Sequence, residues 1–367
     1  MTDPIRITYH LQVPADQAEA RAEALLLEQT VELPRAAVRH HLARQLIGEV
    51  VSLQPLPDQP DVQEVVLEQP LAAAGTNTAQ LLNVIFGNCS LQPDVALHDV
   101  ELPEAAARFL PGPALGIKGL RQLLRAEDRA MTMTALKPMG QSPGELAELA
   151  ATFALVGIDV IKDDHGLATQ DFCPFEERVA LCQEAVREAN DRTGHRCLYV
   201  PNICGSLMEM LSQMSFAAEH GVRAILIEPM VTGLPMLAEL ATAGPRLAIL
   251  AHPSFGGATR IAPELMNGKL FRWYGADATI FPNYGGRFSY SQEQCRRLAQ
   301  AVREPLTGYK PAMPVPAGGI AFDELDPVLE FYGRDTILLM GGSLYEAGEN
   351  LADRAGEFAA RTRAKFA

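Results

Sequence analysis

From residue 131 onward, short apolar segments alternate with helix-length segments eight times, and this repeat restricts the possible folds more than any other feature. The segments that we predict as strands are 131–138, 157–164, 196–203, 224–230, 247–253, 278–283, 312–319 and 336–342. Eight strand–helix units in about 240 residues are typical of a (β/α)8 TIM barrel. A doubly wound open sheet is the alternative, but it usually has fewer strands and a glycine-rich first turn, which is absent here.

The first ~110 residues follow a different order of elements. The alternating segment 5–13 predicts a strand, and the Ala/Glu/Leu-rich segment 15–28 predicts an amphipathic helix. A strand pair around the proline-rich turn at 55–60, a helix at 77–86 and a strand at 95–102 complete the order βαββαβ. That order is typical of a ferredoxin-like layer. We therefore predict an α/β protein with a ferredoxin-like α+β domain over 1–111 and a barrel catalytic domain over 112–367.

The composition excludes several classes of function. A formal net charge of −14 works against non-specific nucleic-acid binding. No apolar run approaches the ~20 residues of a membrane helix, and the N-terminus lacks the pattern of a signal peptide. The six cysteines contain no C-x-x-C pair, so we interpret them as reduced thiols and not as a zinc ribbon. We expect a cytoplasmic enzyme without membrane or nucleic-acid partners.

Polar residues and glycines follow nearly every predicted barrel strand. These strand-end residues are Lys137, Lys162, Asp163, Asp164, His165, Asn202, Glu228, His252, Asn283, Gly318, Gly319, Gly341 and Gly342. In a barrel the carboxyl ends of the strands form the mouth of the active site. The sequence therefore predicts a site at this end of the barrel.

The segment GIDVIKDDHG (157–166) contains the largest group of candidate ligands and catalytic residues. Because side chains alternate along a strand, Lys162 and Asp164 should point the same way, with His165 following at the turn. These three residues suit a Mg²⁺ site only if the lysine is modified to an anionic carbamate, since an ammonium group repels a divalent cation. A Lys–Asp ion pair that closes the top of the barrel is the alternative.

Other strand ends suggest phosphate binding and proton transfer. Glycine pairs after the seventh and eighth strands favour a phosphate site, although ordinary turns also contain such pairs. Arg287, in the glycine-rich segment after strand six, could grip phosphate from a mobile lid or could be a solvated loop residue. Lys137 is a candidate general base or a structural lysine. His252 is a candidate proton shuttle, a ligand or a hydrogen-bonded core histidine.

Taken together, the motifs resemble those of the ribulose bisphosphate carboxylase large-chain family. The matching segments, in the family's order, are EQTVELP (28–34), LLNVIFGN (81–88), GPALGIKGLRQLL (112–124), TALKPMG (134–140), GIDVIKDDH (157–165), AGGI (317–320) and LMGGS (339–343). The resemblance implies a carbamylated Lys162 that binds Mg²⁺ with Asp164, and Lys137 as the proton-abstracting base. It implies one phosphate site made by Gly318, Gly319, Gly341 and Gly342 with help from Thr30 and the lid. It also implies a homodimer in which Glu28 and Asn83 complete the partner's site.

The sequence departs from the carboxylase pattern at several of these positions. His165 replaces the glutamate that is the third metal ligand, Met139 replaces a lysine and Arg287 replaces the lid lysine. Strand five retains only His252, and Ala317 replaces a serine of the seventh-strand motif. The strand-five arginine and the seventh-strand serine that are lost belong to the family's second phosphate site, while the glycines of the first remain, so a substrate with one phosphate is expected.

The resemblance is therefore to the carboxylase-like proteins of form IV, which keep enolisation without fixing CO2. We expect an isomerase that acts on 5-methylthioribulose 1-phosphate in methionine salvage, with Lys137 as base and His252 or Lys137 as acid. One alternative is a lyase that decarboxylates a branched oxo-sugar-acid phosphate of the 3-oxo-isoapionate 4-phosphate type, with Arg287 near the carboxylate. A sugar-phosphate-binding barrel without catalytic activity is the other.

Overall fold

A computed structural model describes residues 4–366, so the first three residues and the last residue of the predicted domains lie outside the described part. The chain forms two compact units. One contains the chain up to Leu110 together with Phe255–Met266, and the other contains Pro111–Ser254 and the chain from Asn267 onward. The division after Leu110 lies one residue from the predicted boundary.

The first unit is a four-stranded antiparallel sheet with helices on one face. Its strands are β1 (Pro4–Gln12), β2 (Glu49–Leu56), β3 (Gln59–Pro70) and β4 (Val95–Glu101), in the spatial order β2-β3-β1-β4. Its first three α-helices are α1 (Ala18–Glu28), α2 (His41–Leu46) and α3 (Thr78–Phe86). Alternate residues of β1, from Ile5 to Leu11, are completely buried, which gives the period of two that predicted this strand. The ferredoxin-like prediction is confirmed.

The segment Phe255–Met266 differs from the prediction, which placed it in the barrel domain. Ile261 forms a parallel bridge with Leu97 of β4, and the Leu97 amide donates to the Arg260 carbonyl at 2.8 Å. The Arg260 guanidinium also donates from Nε to the carbonyl of Val95 at 2.9 Å. These bonds extend the sheet of the first unit beyond β4. The segment also contains the short helix α10 (Pro263–Leu265).

The second unit contains all eight predicted barrel strands, each shorter than predicted. They are β5 (Met131–Ala135), β6 (Val160–Lys162), β7 (Leu198–Val200), β8 (Ala224–Ile227), β9 (Ala248–Ala251), β10 (Ala278–Pro282), β11 (Met313–Ala317) and β12 (Ile337–Leu339). They pair in parallel as β12-β5-β6-β7 and β8-β9-β10-β11, and a bridge between Asn202 and Leu226 joins β7 to β8. Inward side chains of both sheets, such as Met133, Val200 and Ile280, form one buried cluster. The TIM-barrel prediction is confirmed.

One helix precedes the first barrel strand, and the others lie between successive strands or after the last one. They are α4 (Gly116–Leu124), α5 (Pro143–Leu155), α6 (Phe175–Thr193), α7 (Leu207–Glu219), α8 (Pro229–Thr232), α9 (Leu234–Ala243), α11 (Phe271–Trp273), α12 (Gln292–Arg303), α13 (Leu325–Tyr332), α14 (Gly342–Tyr345) and α15 (Leu351–Ala364). Ser142 and Ser206 begin α5 and α7 with capping boxes, in which a serine and a glutamate three residues later satisfy each other's backbone amides. In the described residues, no helix has the length and apolar character needed to cross a membrane.

Candidate active site

The end of β6 places two neighbouring aspartates in opposite environments. Asp163 is completely buried, and its carboxylate accepts hydrogen bonds from Arg178 Nε at 3.0 Å, Tyr199 Oη at 2.8 Å and the Asn202 amide at 3.0 Å. A buried carboxylate requires such partners, because an unpaired charge in a protein interior is strongly destabilising. Asp163 therefore fixes the strand end to α6 and β7 and is not available to a ligand.

Asp164 lies on the other side of the strand and pairs with Lys137 Nζ at the end of β5. Its Oδ1 accepts a hydrogen bond from the Gly166 amide at 3.0 Å and lies 3.5 Å from His165 Nδ1. Burial opposes ionisation of Asp164, but the Lys137 and Gly166 hydrogen bonds outweigh it and lower its pKa. The predicted Lys–Asp ion pair at the barrel top is present, with Lys137 and not Lys162 as its cation.

Lys162 is almost completely buried at the carboxyl end of β6, with 3% of its surface exposed. Its Nζ donates a hydrogen bond to the Asp163 carbonyl at 2.7 Å. Burial lowers the pKa of Lys162 from 10.5 to about 8, because the charged form loses solvation; Asp164 opposes this effect and Lys137 adds to it. A substantial fraction of Lys162 is therefore a neutral amine near pH 8, which is the form that reacts with CO2.

His165 and His252 stack on each other, with ring centroids 4.3 Å apart and an interplanar angle of 12°. His252 Nδ1 lies 2.8 Å from Ser254 Oγ. Burial, together with the positive charge of Lys162, lowers the pKa of His252 to about 2. Burial also lowers the pKa of His165, and the charges of Lys162, Lys137 and Arg287 contribute to that shift. Both imidazoles are therefore neutral at neutral pH, the form in which histidine binds metals.

Glu228, the first residue after β8, belongs to this cluster but had no predicted role. It is 4% exposed, and its Oε1 has no hydrogen-bond partner in the described part of the chain. Burial raises its pKa from 4.5 to about 7, while Lys162 and Asn202 pull it down. The side chain of Asn202, also buried, donates to the carbonyls of His165 and Leu167, and its Oδ1 has no partner among the described residues. The signal in the sequence was a carboxylate directly after a fully apolar strand.

The two predicted glycine pairs follow β11 and β12. Gly318 and Gly319 have φ angles of +85° and +99°, and a Cβ on Gly319 would lie 2.7 Å from Gly286 Cα. The loop after β10 therefore packs its backbone directly on this pair, and glycine is required there. A Cβ on Gly341 or Gly342 would meet nothing within 4 Å, so open space lies beside the second pair.

The remaining predicted residues are placed as follows. Arg287, in the loop after β10, is exposed and stacks over the Phe288 ring with its guanidinium carbon 5.2 Å from the centroid. In the first unit, Glu28 accepts a hydrogen bond from Asn88 at 3.1 Å, and Thr30 donates to the Leu26 carbonyl at 2.7 Å. Asn83 lies on α3. Gln29, at the end of α1, donates from Nε2 to the Val84 carbonyl of α3 at 3.0 Å and so joins the two helices.

The donor set at β6 can be tested against the predicted Mg²⁺. The described residues contain no group of three histidine, cysteine, aspartate or glutamate side chains arranged to hold a metal ion. A site therefore needs Lys162 as a third ligand beside Asp164 and His165. An unmodified ammonium is unsuitable, whereas a carbamate supplies the oxygen atoms that Mg²⁺ prefers. The buried, partly neutral Lys162 amine is suited to that modification, so the residues fit the ion on this condition.

Comparison with known proteins assigns the chain to a family. Residues 116–274 match the family model of the ribulose bisphosphate carboxylase large chain, catalytic domain. The chain is 48% identical to ribulose bisphosphate carboxylase-like protein 1 of Rhodopseudomonas palustris, over 98% of both chains. This chain belongs to the ribulose bisphosphate carboxylase-like proteins. A crystal structure of a carboxylase-like protein from R. palustris, 43% identical, superimposes with a TM-score of 0.91 and covers 99% of this chain and 98% of that one.

Two further relatives carry names that refer to phosphorylated methylthio compounds. The 5-methylthioribulose-1-phosphate isomerase of Rhodospirillum rubrum is 41% identical over 98% of this chain and 96% of its own. The 2,3-diketo-5-methylthiopentyl-1-phosphate enolase of Geobacillus kaustophilus is 31% identical over 93% of this chain and 87% of its own. The family resemblance inferred from the motifs is confirmed.

Proposed function

We propose that this carboxylase-like protein is an isomerase that moves a proton on a singly phosphorylated keto-sugar, 5-methylthioribulose 1-phosphate. The observation that carries the proposal is the cluster of Lys137, Asp164 and the buried Lys162 at the carboxyl ends of adjacent strands. The 41% identity to a relative named for this isomerase supports the choice of substrate over the diketo compound of the more distant enolase.

The proposed reaction begins with abstraction of the α-proton by Lys137. Carbamylated Lys162, Asp164 and His165 would hold Mg²⁺, which would supply positive charge opposite the negative charge that develops on the substrate oxygen atoms, an effect of several kcal/mol. Lys137 must be in its amine form to act as a base, and this requires the ion pair with Asp164 to open. The same lysine, once protonated, is the better proton donor, because the lowered pKa of His252 disfavours its imidazolium form.

Binding of one phosphate group is assigned to the two glycine pairs. The open space beside Gly341 and Gly342 leaves room for a ligand, and Gly318 and Gly319 bring a second set of backbone groups from the end of β11. Arg287, which is exposed in the adjacent loop, is available to pair with the phosphate. Substrate binding would therefore rely on local donors despite the net charge of −14.

A second copy of the chain is proposed to complete the site. Five of the large apolar side chains that are exposed in the second unit lie after the carboxyl ends of its strands. They are Met139 (56% exposed), Phe172 (44%), Met208 (75%), Val231 (57%) and Phe288 (45%). Exposed apolar residues that cluster on one rim are typical of an interface. We assign Glu28, Thr30 and Asn83 of the partner subunit to the uncovered side of the site.

The isomerase is tested by proton exchange. Purified protein is incubated with Mg²⁺ and bicarbonate in D2O, 5-methylthioribulose 1-phosphate is added, and proton NMR follows the α-carbon. We expect a new sugar phosphate that carries deuterium, with activity lost in Lys137→Ala and retained in Lys118→Ala, which replaces an exposed lysine of α4. Exchange without a new product would reject this substrate but keep enolisation. Bound substrate without exchange would favour a catalytically inactive sugar-phosphate binder.

The shared site is tested by mixing two inactive variants. Glu28→Gln and Lys137→Ala protomers are combined under conditions that exchange subunits. If each site uses residues of both subunits, one of the two sites in a mixed dimer is intact and activity returns. Two inactive variants that stay inactive after verified subunit exchange would contradict a shared site.

A further inference from the structure

The hydroxyl of Tyr345 bridges two backbone groups that flank Leu136 at the end of β5. Tyr345 Oη donates a hydrogen bond to the Ala135 carbonyl at 2.6 Å and accepts one from the Lys137 amide at 3.1 Å. The Tyr345 hydroxyl therefore binds the backbone both at Ala135 and at Lys137, the proposed base. The sequence contained no signal for this contact, because Tyr345 lies more than two hundred residues from Lys137 along the chain.

Within residues 4–366, no neighbouring strand supplies either of these two backbone groups with a partner. On the β12 side the ladder ends where the Met340 amide donates to the Met133 carbonyl at 3.0 Å. On the β6 side the Leu136 amide donates to the Lys162 carbonyl at 2.9 Å. Backbone groups alternate in direction along a strand, so the Ala135 carbonyl and the Lys137 amide face the β12 side. The Tyr345 hydroxyl thus takes the place of the backbone hydrogen bonds that a longer β12 would make with β5.

Tyr345 is itself held in place from two directions. Its ring packs edge-on against Phe153 of α5, with centroids 5.9 Å apart and an interplanar angle of 79°. It is the last residue of α14, which begins at Gly342, and in the same helix Ser343 Oγ donates to the Ile320 carbonyl at 2.7 Å. Burial raises the pKa of the Tyr345 phenol, so its hydroxyl keeps the proton that it donates. The segment that holds the second glycine pair is therefore joined to the backbone of Lys137.

We propose that Tyr345 is a positioning residue for Lys137, which holds the backbone from which the lysine amine reaches the substrate. The inference rests on the proposed isomerase, in which Lys137 is the base. Tyr345 does not touch the reacting atoms in this proposal. Its removal should therefore slow proton abstraction without weakening the binding of the phosphorylated substrate, since misplacement of a reacting group by about 1 Å can cost a hundredfold in rate.

The test compares Tyr345→Phe with Tyr309→Phe. The Tyr309 hydroxyl is buried and has no hydrogen-bond partner in the described residues, so its removal is a matched control for loss of a buried phenol oxygen. In the deuterium-exchange assay we expect kcat to fall at least tenfold in Tyr345→Phe with KM within threefold of the wild type, and Tyr309→Phe to match the wild type. An unchanged kcat, or a KM that rises as much as kcat falls, would overturn the proposal.

A second measurement tests the positioning role of Tyr345 without using the proposed reaction. Amide hydrogen exchange of the peptide 131–140 is followed by mass spectrometry in both variants and in the wild type. We expect Tyr345→Phe to exchange at least tenfold faster over 135–137, with peptides of α6 unchanged. Wild-type protein that fails to isomerise the substrate would reject the proposed function, whereas unchanged protection in Tyr345→Phe would reject the positioning role independently.

Discussion

The Glu228→Gln variant should become more stable relative to the wild-type protein as the pH rises. The pKa of this carboxyl is raised from 4.5 to about 7, chiefly by burial. A raised pKa in the folded state means that its contribution to stability is complete below pH 4.5, declines as pH rises and is fully lost above pH 7. At about 1.4 kcal/mol for each tenfold change in the ionisation constant, the loss is about 3.5 kcal/mol.

Two charged groups act on the Glu228 carboxylate. The ammonium of Lys162 attracts the carboxylate, and the charge of Asp164 repels it. The pKa of about 7 already includes both effects. The value of about 3.5 kcal/mol is therefore the net cost of ionising Glu228 in the folded protein, which glutamine avoids.

The assay is urea unfolding of the wild type and Glu228→Gln at pH 5 and pH 7.5. We expect the free energy of unfolding of the variant, relative to the wild type, to increase by about 1–3 kcal/mol between these pH values. Glu239→Gln replaces an exposed glutamate of α9, and its difference from the wild type should stay constant. A Glu228→Gln difference that is independent of pH, or that decreases as pH rises, would show that Glu228 ionises normally.

Two further predictions concern the scaffold of the site. Arg178→Met should lower the free energy of unfolding by about 3–5 kcal/mol in urea titrations, because Asp163 would keep a buried charge without its cation; a loss below about 1 kcal/mol would contradict this role. Gly319→Ala should lower the melting temperature, since its φ is +99° and its Cβ would lie 2.7 Å from Gly286 Cα. Gly341→Ala should stay within about 0.5 kcal/mol of the wild type and should weaken inhibition by inorganic phosphate; equal stability of the two alanine variants would refute the contrast.

The barrel could be predicted because its signals are local. Each strand is a short apolar run and each is followed by a helix-length segment, so eight strands were found within the predicted limits. The strands were predicted too long because the predictions included polar residues beyond the ladder, such as Asp164, whose carboxylate binds Lys137. The segment Phe255–Met266 was misplaced because its partner is β4, more than 150 residues earlier.

The chemistry of the cluster was only partly predictable. Alternation along β6 separated Asp163 from Asp164, and the structure gives them different partners. The pairing of Asp164 with Lys137 depends on the approach of two strands, and a strand pattern does not specify which lysine is nearer. The raised pKa of Glu228 and the bridge by Tyr345 depend on burial and distance in three dimensions. Neither leaves a pattern in a single sequence.

Because Asp163 and Asp164 lie in different environments, selection can act on these two adjacent residues of one motif independently. A lineage that lost Asp164 would keep the Arg178 and Tyr199 contacts of Asp163, and therefore a folded barrel that still displays its glycine pairs. A lineage that lost Asp163 would be removed by misfolding before its chemistry was tested. Descendants without turnover should thus retain the first aspartate of the pair and vary at the second.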